Sequence, residues 1–414
     1  MPANAAISSL ESRSRTASEG HGYDQLNADA WLAKADELAR YLAETAVDRD
    51  QTGGHAAEQK ERIRQSGLLS LSIPKAQGGA GQSWSLIYRV VRKLASADSA
   101  LAHIFAFHHL QVSSVLLYGS QQQIDQLLSQ TADKRLFWGN TLNPLDKRTV
   151  ATEYPGGGYI FNGVKGFCSG ARGSDFLTAS AWHEPTQSLV VSAIPTIREG
   201  ITVHEDWDAI GQRQTDSGTV TFDQVIVAPD EVLLQPGQPW SPAAHYRSCL
   251  AQLVLVNLYV GIAEGAFSEA RAYTREQARP WFTSNAPSSA EDPFIQHHYG
   301  ELRVKLRSAQ VLAEVAGQLV DTHFQKGPAI TASDRGETAI AIADAKVAAH
   351  HAALDISSRL FDIAGARATS RRFGYDRFWR NARTHTLHDP IDYKLRDLGR
   401  WELFGEYPTP TSYS

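Results

Sequence analysis

The chain has 414 residues, 42% hydrophobic and 21% charged, with a formal net charge of −5. This is ordinary globular composition, enough for a large core and two or three domains, and the absence of a basic block excludes a nucleic-acid backbone as the main partner. Cys168 and Cys249 are the only cysteines, too few for a disulfide framework or a cysteine metal site, and they fit a reducing, cytoplasmic compartment.

Residues 1–25 are rich in Ser, Ala, Arg and Gly and lack an apolar signal core, so a disordered tail is expected there. Residues 26–134 read as a helical domain. Between Asn27 and Asp48, Leu32, Ala35, Ala39, Leu42 and Ala46 recur at spacings of three and four, with Asn27 and Asp29 as candidate caps. A second helix is expected over Ala56–Gln65. LLSLSIP then reads as extended and runs into a loop that cannot be helical through Gly78, Gly79 and Gly81. Helices follow over Ser85–Ser96, Ser99–Tyr118 and Gln121–Gln130. The middle one is nearly all apolar apart from His103, His108 and His109, and should be buried.

Near Arg135 the texture changes. LFWGN, GYIFNGVKGF, FLTASAW, SLVVSAIP and GTVTFDQVIV are short β-branched or aromatic runs separated by turn residues, which predicts a β-domain over 135–240. The helical period returns over 241–402, with candidates Pro242–Arg279, Pro293–Lys326, Ala332–Ala364 and a last piece around Arg371–His388. Their short connections predict an antiparallel bundle. The most apolar run, 249–263, is interrupted by Gln252 and Asn257 and too short to span a bilayer, so it reads as a core helix and no membrane partner is expected. Residues 403–414 form a Pro/Tyr/Ser-rich tail able to reach over a neighbour. The fold class is α+β. No GxGxxG follows a strand and no GxxxxGK[ST] occurs, which removes the Rossmann and P-loop readings.

One stretch concentrates chemistry. Asp376–Lys394, DRFWRNARTHTLHDPIDYK, carries three arginines, two histidines and three aspartates beside Phe378 and Trp379. His385 and His388 share a face on a helical turn, and Pro390 holds Asp389 extended. Either this is a buried polar network locking two domains, or it is a site.

The helical–β–helical order, IPKAQGGAGQSW, GYIFNGVKGFCSGA and the four-helix C-terminal part together resemble the acyl-CoA dehydrogenase superfamily, from about Asn27 to Trp401. Finer motifs, HIFAFHH, GFCSGARGSD, DWDAIGQRQTDSG, YTREQARPW, GYDRFWRNARTHTLHDP and GEYP, are similar to those of its dibenzothiophene monooxygenase branch. That resemblance implies a two-component enzyme. A separate NAD(P)H-dependent flavin reductase would supply FMNH2, and O2 would form a C4a-hydroperoxyflavin. The sulfur of a small aromatic heterocycle would then go to sulfoxide and sulfone. It also implies a homotetramer. One departure matters as much as the match: where dehydrogenases of the superfamily carry a Tyr-Glu-Gly turn, this chain has HTLHDP, so the α-proton acceptor is missing there. Glu264 on the Pro242–Arg279 helix keeps the dehydrogenase alternative open. An N-hydroxylase or other monooxygenase of the branch, and a flavin-binding scaffold without chemistry, stay open as well.

By this resemblance, His388 stands where the dehydrogenase glutamate would be and is a candidate catalytic and cofactor-contacting residue, or else a structural imidazole capped by Asp389. His385 is assigned to structure. His108 is a candidate pocket residue facing His388, or a satisfied core histidine. Phe107 stands where relatives can carry tyrosine. Ser169 suits the flavin N5 edge, or is a turn serine bonding its own backbone. Cys168 reads as buried filler. Asn140 is a strand-end amide for the isoalloxazine edge, with Asn143 a second candidate. Trp207 could cover a flavin face, and Ser217 could bond the cofactor. Arg279 and Arg367 are the candidate phosphate clamps, and Arg367 intrudes at a turn that receives adenosine in FAD-binding relatives, which favours FMN. The histidines lack a metal-ligand pattern, so no metal is expected.

Overall fold

The computed structural model describes residues 26–414; the tail expected over 1–25 lies outside the described residues. The N-terminal domain opens with α1 (Ala28–Ala43), whose first turn is capped by the Asn27 side chain accepting from the Ala30 amide. It continues with α2 (Ala46–Thr52) and α3 (Ala57–Gln65), so the single helix expected to Asp48 breaks at Glu44–Thr45. The extended run expected over LLSLSIP is corrected. Residues 68–70 and 75–77 form 3-10 turns. Carbonyls of the run pair with the returning glycine loop: Ala80 donates to Ser70, Gly81 to Ile73 and Gln82 to Leu71. A Cβ at Gly79 would lie 2.1 Å from the Ile73 carbonyl oxygen, so only glycine lets the chain double back.

Helices α4 (Trp84–Ala97), α5 (Ser99–Tyr118) and α6 (Gln121–Lys134) complete the domain, each started by a side-chain cap from Ser83, Asp98 or Ser120. An eight-stranded sheet follows. Its strands are β1 (Trp138–Thr141), β2 (Val150–Glu153), β3 (Tyr159–Lys165), β4 (Phe176–His183), β5 (Ser188–Pro195), β6 (Ile201–Val203), β7 (Val220–Val227) and β8 (Val232–Leu234). The order is β6-β7-β3-β2-β4-β5-β8, with β1 pairing in parallel on β4 so that Asn140 sits opposite Thr178. The five expected runs all contain strands; β2, β6 and β8 are three or four residues long and give no periodic signal.

Three long helices follow, α7 (Pro242–Glu276), α8 (Pro293–Phe324) and α9 (Ala332–Ala364). They alternate in direction, so α7 and α9 end together, and Tyr273 lies 5.2 Å from Phe373 there. Two shorter helices close the chain. Helix α10 (Asp376–His385) falls within the expected last piece and ends with Thr386 as its C-cap, while α11 (Ile391–Phe404) was not foreseen and restarts directly after Pro390. The tail lies along its own chain, where Ser248 donates to the Ser414 carbonyl at 2.8 Å and Lys394 to that of Tyr413 at 2.7 Å. One apolar core joins the N-terminal helices to the bundle through Trp31, Leu101, Tyr259 and Leu360; the sheet has its own, around Phe161, Leu177 and Phe222. Helices α5 and α7 are long and apolar enough to cross a membrane, but 83% of each apolar window is buried inside the protein.

Candidate active site

Helices α5 and α10 and the connection between β6 and β7 meet at Gln212, held at φ +54°. Its amide donates to Asn381 Oδ1 at 2.6 Å, and its Nε2 to Ser99 Oγ at 3.1 Å. Ser99 and His103 are four residues apart on α5, as Asn381 and His385 are on α10, so each pair shares a face. These faces oppose. The His103 ring stacks on Phe107 at 4.0 Å and lies 4.7 Å from the His385 ring. Both His103 ring nitrogens, His385 Nδ1 and Gln212 Oε1 are buried without a protein partner. Each such group costs about 1–3 kcal/mol, so four at one junction mark a place for a polar guest. Burial, reinforced by the neighbouring histidines, pushes His103 well below the usual imidazole range. Burial likewise brings His385 down to about 3. Both rings are therefore neutral near pH 7, each with one donor and one acceptor.

His388 follows three residues later, with its side chain 38% exposed and Nδ1 2.9 Å from Asp389 Oδ1. Asp389 also takes the buried Lys346 ammonium, which in turn holds Gln252. Burial alone would raise the Asp389 carboxyl, but the His388 hydrogen bond and the Lys346 charge outweigh it and hold it well below the usual range. Asp389 is thus occupied and is no free base. Beside His388 a cavity of about 640 Å³ opens, walled by Tyr393, Tyr407 and Tyr413, a volume that suits a small ligand.

A chain of hydroxyls approaches the same junction from the sheet. Ser169 Oγ lies 2.8 Å from Ser217 Oγ, Ser217 donates to Thr215 Oγ1 at 2.7 Å, and Thr215 donates to the Gln212 carbonyl at 3.0 Å. The Asn140 backbone N–H donates to the Ser169 carbonyl at 3.0 Å, while its side-chain Oδ1 accepts the Leu142 amide at 3.2 Å. Trp207 Nε1 donates to the Gln212 carbonyl at 2.8 Å. The structure therefore brings Asn140, Ser169, Trp207 and Ser217 together around Gln212. Asn143 is instead tied to the end of β3: its side chain donates to the Gly166 carbonyl and its carbonyl accepts from Lys165. Cys168 is buried, and burial pushes its thiol up to about 12, so it is no nucleophile.

Two residues escaped the sequence reading. Phe167 is 67% exposed at φ +59° and meets the Trp207 ring edge-on at 6.1 Å. A bulky residue held in the left-handed region beside a site is a signal of function, and only its place before Cys-Ser-Gly hinted at it. The second is His103. His108, expected to face His388, points elsewhere: its Nε2 donates to the Leu69 carbonyl at 2.9 Å, and its Nδ1 accepts the Trp138 amide at 3.2 Å. Five residues turn a helix by about 140°, which swings His108 away from the face that His103 presents. His108 is thereby corrected to a satisfied core residue.

Arg279 and Arg367 follow the C-termini of α7 and α9, at the same end of the bundle. Both are exposed, and among the described residues neither has a protein partner. Glu264 accepts from Gln310 on α8, and burial raises its carboxyl.

Family models match the chain in three consecutive pieces: the acyl-CoA dehydrogenase N-terminal domain over residues 31–135, the middle domain over 142–225 and the C-terminal domain over 253–393. The probable FMNH2-dependent monooxygenase SfnC of Pseudomonas putida is 50% identical over 92% of this chain and 97% of its own. The methanesulfinate monooxygenase MsuC of Pseudomonas fluorescens superposes with a TM-score of 0.91 at 48% identity, covering 92% of this chain and 99% of that one. The FMN-bound dibenzothiophene monooxygenase TdsC of Paenibacillus sp. A11-2 gives 0.89 at 39%, covering 93% and 100%.

Proposed function

Since the chain belongs to the acyl-CoA dehydrogenase family, in its branch of flavin monooxygenases, we propose that it uses reduced FMN and O2 to oxygenate a sulfur compound. The observation that carries this is the set of unpartnered buried polar atoms on His103, His385 and Gln212 beside His388, at a position with no free carboxylate. The reaction at sulfur balances as sulfide, O2 and FMNH2 giving sulfoxide, FMN and water; a second round gives the sulfone. A separate NAD(P)H-dependent reductase delivers the FMNH2.

The residues suit FMN. The hydroxyl chain of Ser169 and Ser217, with Asn140 behind it, offers donors and acceptors to a flavin edge. Phe167 and Trp207 offer aromatic walls. Arg279 and Arg367, unpaired at one end of the bundle, suit a single terminal phosphate. Trp281, Phe282 and Phe294 are exposed near that end, and such a patch suits a second copy of the chain, so the phosphate clamp is completed between subunits of a homotetramer. Reduced FMN supplies the electrons that activate dioxygen. The chain's own part is to exclude water and place neutral imidazoles. His103 and His385 each offer one N–H without an acidic proton to spare. His388, fixed through Nδ1 by Asp389, presents Nε2 to the substrate side.

The test supplies chemically reduced FMN and air to the purified protein with dibenzothiophene, and looks for sulfoxide and sulfone by mass spectrometry. Free peroxide alone, with the thiophene recovered, defeats the reading. A second substrate class is favoured by the higher identity to the methanesulfinate monooxygenase MsuC than to TdsC: a small alkyl sulfinate. Methanesulfinate is therefore the paired substrate in the same assay, its loss scored beside that of dibenzothiophene.

A further inference from the structure

Helix α3 sends one side chain into the sheet. Lys60 is only 3% exposed, and its ammonium lies 4.3 Å from the centre of the Phe137 ring. It donates to the carbonyls of Gly170 at 2.8 Å and Arg172 at 2.5 Å. Burial brings its pKa down to about 7, partly offset by Asp216 and Asp175. A lone buried lysine is costly and calls for a reason.

The reason lies in the turn it holds, Cys168–Asp175. The Cys168 carbonyl takes the Ala171 amide, the Ser169 carbonyl takes Asn140, and the Ala171 carbonyl takes Ser174. Gly170 and Arg172 are the carbonyls that Lys60 serves. The turn's amides also tie it to the Ser217 loop, Gly170 donating to the Thr215 carbonyl at 2.9 Å and Cys168 to that of Gly218 at 3.0 Å, while its Gly170 and Arg172 carbonyls, the first one residue from Ser169, are held by a charge from the N-terminal helices. The partner loop is held from the same region. His55 Nδ1 meets Asp216 Oδ2 at 2.6 Å, and Asp216, at φ +47°, precedes Ser217. Arg213 donates to the carbonyls of Asp50 and Gln51, and Arg49 to the Gln214 side chain. Residues 49–60 therefore grip both loops that carry the serine pair.

We propose that Lys60 is a positioning residue: from the N-terminal helices it fixes the turn bearing Ser169, and so sets the Ser169–Ser217 hydroxyl pair against the flavin. The assignment rests on the placement of FMN at these serines given above. Lys60→Met keeps the stem over Phe137 and removes the ammonium; Lys60→Arg restores a cation. Ser169→Ala removes the hydroxyl that Lys60 is argued to act through.

The readout is the FMN dissociation constant, from quenching of flavin fluorescence, with melting temperature followed in parallel. Lys60→Met is expected to weaken FMN binding at least tenfold, and Lys60→Arg to recover part of that loss. In the Ser169→Ala background, Lys60→Met should add less than twofold, because both changes break one device. An equal loss in both backgrounds, or a fall in melting temperature with FMN affinity unchanged, overturns the proposal by making Lys60 a structural residue only. Unchanged FMN affinity in Ser169→Ala alone identifies a different failure, that of the flavin placement, and the proposal falls with it.

Discussion

Two stretches of α5 carry histidines of opposite standing. At its centre, His108 spends both ring nitrogens on backbone groups of Leu69 and Trp138, while the neighbouring His109 is half satisfied, its Nδ1 2.6 Å from Ser72 Oγ and its Nε2 without a protein partner. Five residues earlier, His103 is as deeply buried and spends neither nitrogen. The residue type, the helix and the degree of burial are shared; what differs is the state of the hydrogen bonds. A histidine whose bonds are filled holds the N-terminal domain to the sheet. One whose bonds are empty in the dry interior waits for something the chain does not supply.

The comparison breaks most sharply by mutation. His103→Ala should leave the melting temperature within a few degrees and cut oxygenation about 10²–10⁴-fold, the usual range for losing a positioned proton donor or acceptor. His108→Ala should do the reverse. It opens a cavity and strands the Leu69 carbonyl and the Trp138 amide, at a cost of about 3 kcal/mol in stability. Activity per folded molecule should persist. Steady-state rates and thermal unfolding of both variants decide it; a His108→Ala enzyme that folds well but has no activity would return the expected role to His108.

The two arginines give a smaller, separable effect. Arg279→Ala or Arg367→Ala should weaken FMN binding about tenfold to hundredfold, as charge-assisted bonds contribute about 1.5–3 kcal/mol each. FAD binding should change little. A fluorescence titration in which both flavins respond alike would show that the guanidinium groups do not meet a terminal phosphate.

Acid sharpens the contrast further. Burial holds His108 and His350 down to about 4 and His385 to about 3. An unfolded histidine titrates near about 6.5, so between that value and the folded one the unfolded chain binds more protons. Stability is then fully present above pH about 6.5 and falls as pH drops toward 4. Denaturant midpoints should decline across that window, and His108→Gln, which keeps hydrogen bonding without the proton, should flatten the decline. A decline that begins only below pH 4 would assign acid lability to carboxylates instead.

Much of this was legible in the sequence. The helical period that returns over 241–402 places the starts of α7, α8 and α9 at Pro242, Pro293 and Ala332 and their ends to within three residues, because local pattern and burial agree there. The LLSLSIP run misleads because its β-branched and leucine-rich look carries no record of the glycine loop that captures its carbonyls. Ser169, Ser217 and Asn140 could be nominated from motifs, but their joining through Gln212 is a tertiary fact set by a left-handed turn. His108 and His103 stand on different faces of α5, and only the latter lies beside the His385 ring. HIFAFHH offers three histidines, and nothing in the string says which face of α5 meets α10.

The smallest effect is expected at Glu264, and it carries the question of which chemistry survives on this scaffold. A base that removes an α-proton must reach the substrate. Glu264 lies five residues beyond Tyr259, whose hydroxyl donates to the His385 carbonyl at 2.9 Å and so marks the face of α7 turned to the histidines. About 140° round the helix, the Glu264 carboxylate instead meets Gln310 on α8, near Arg92. Glu264→Gln should therefore leave oxygenation within about twofold. The unmodified protein should reduce no electron acceptor with butyryl-CoA, because neither Glu264 nor the occupied Asp389 can accept the proton. A dye-reduction assay settles the matter: acyl-CoA-dependent reduction that disappears in Glu264→Gln would mean that the dehydrogenase base has moved along the chain rather than been given up.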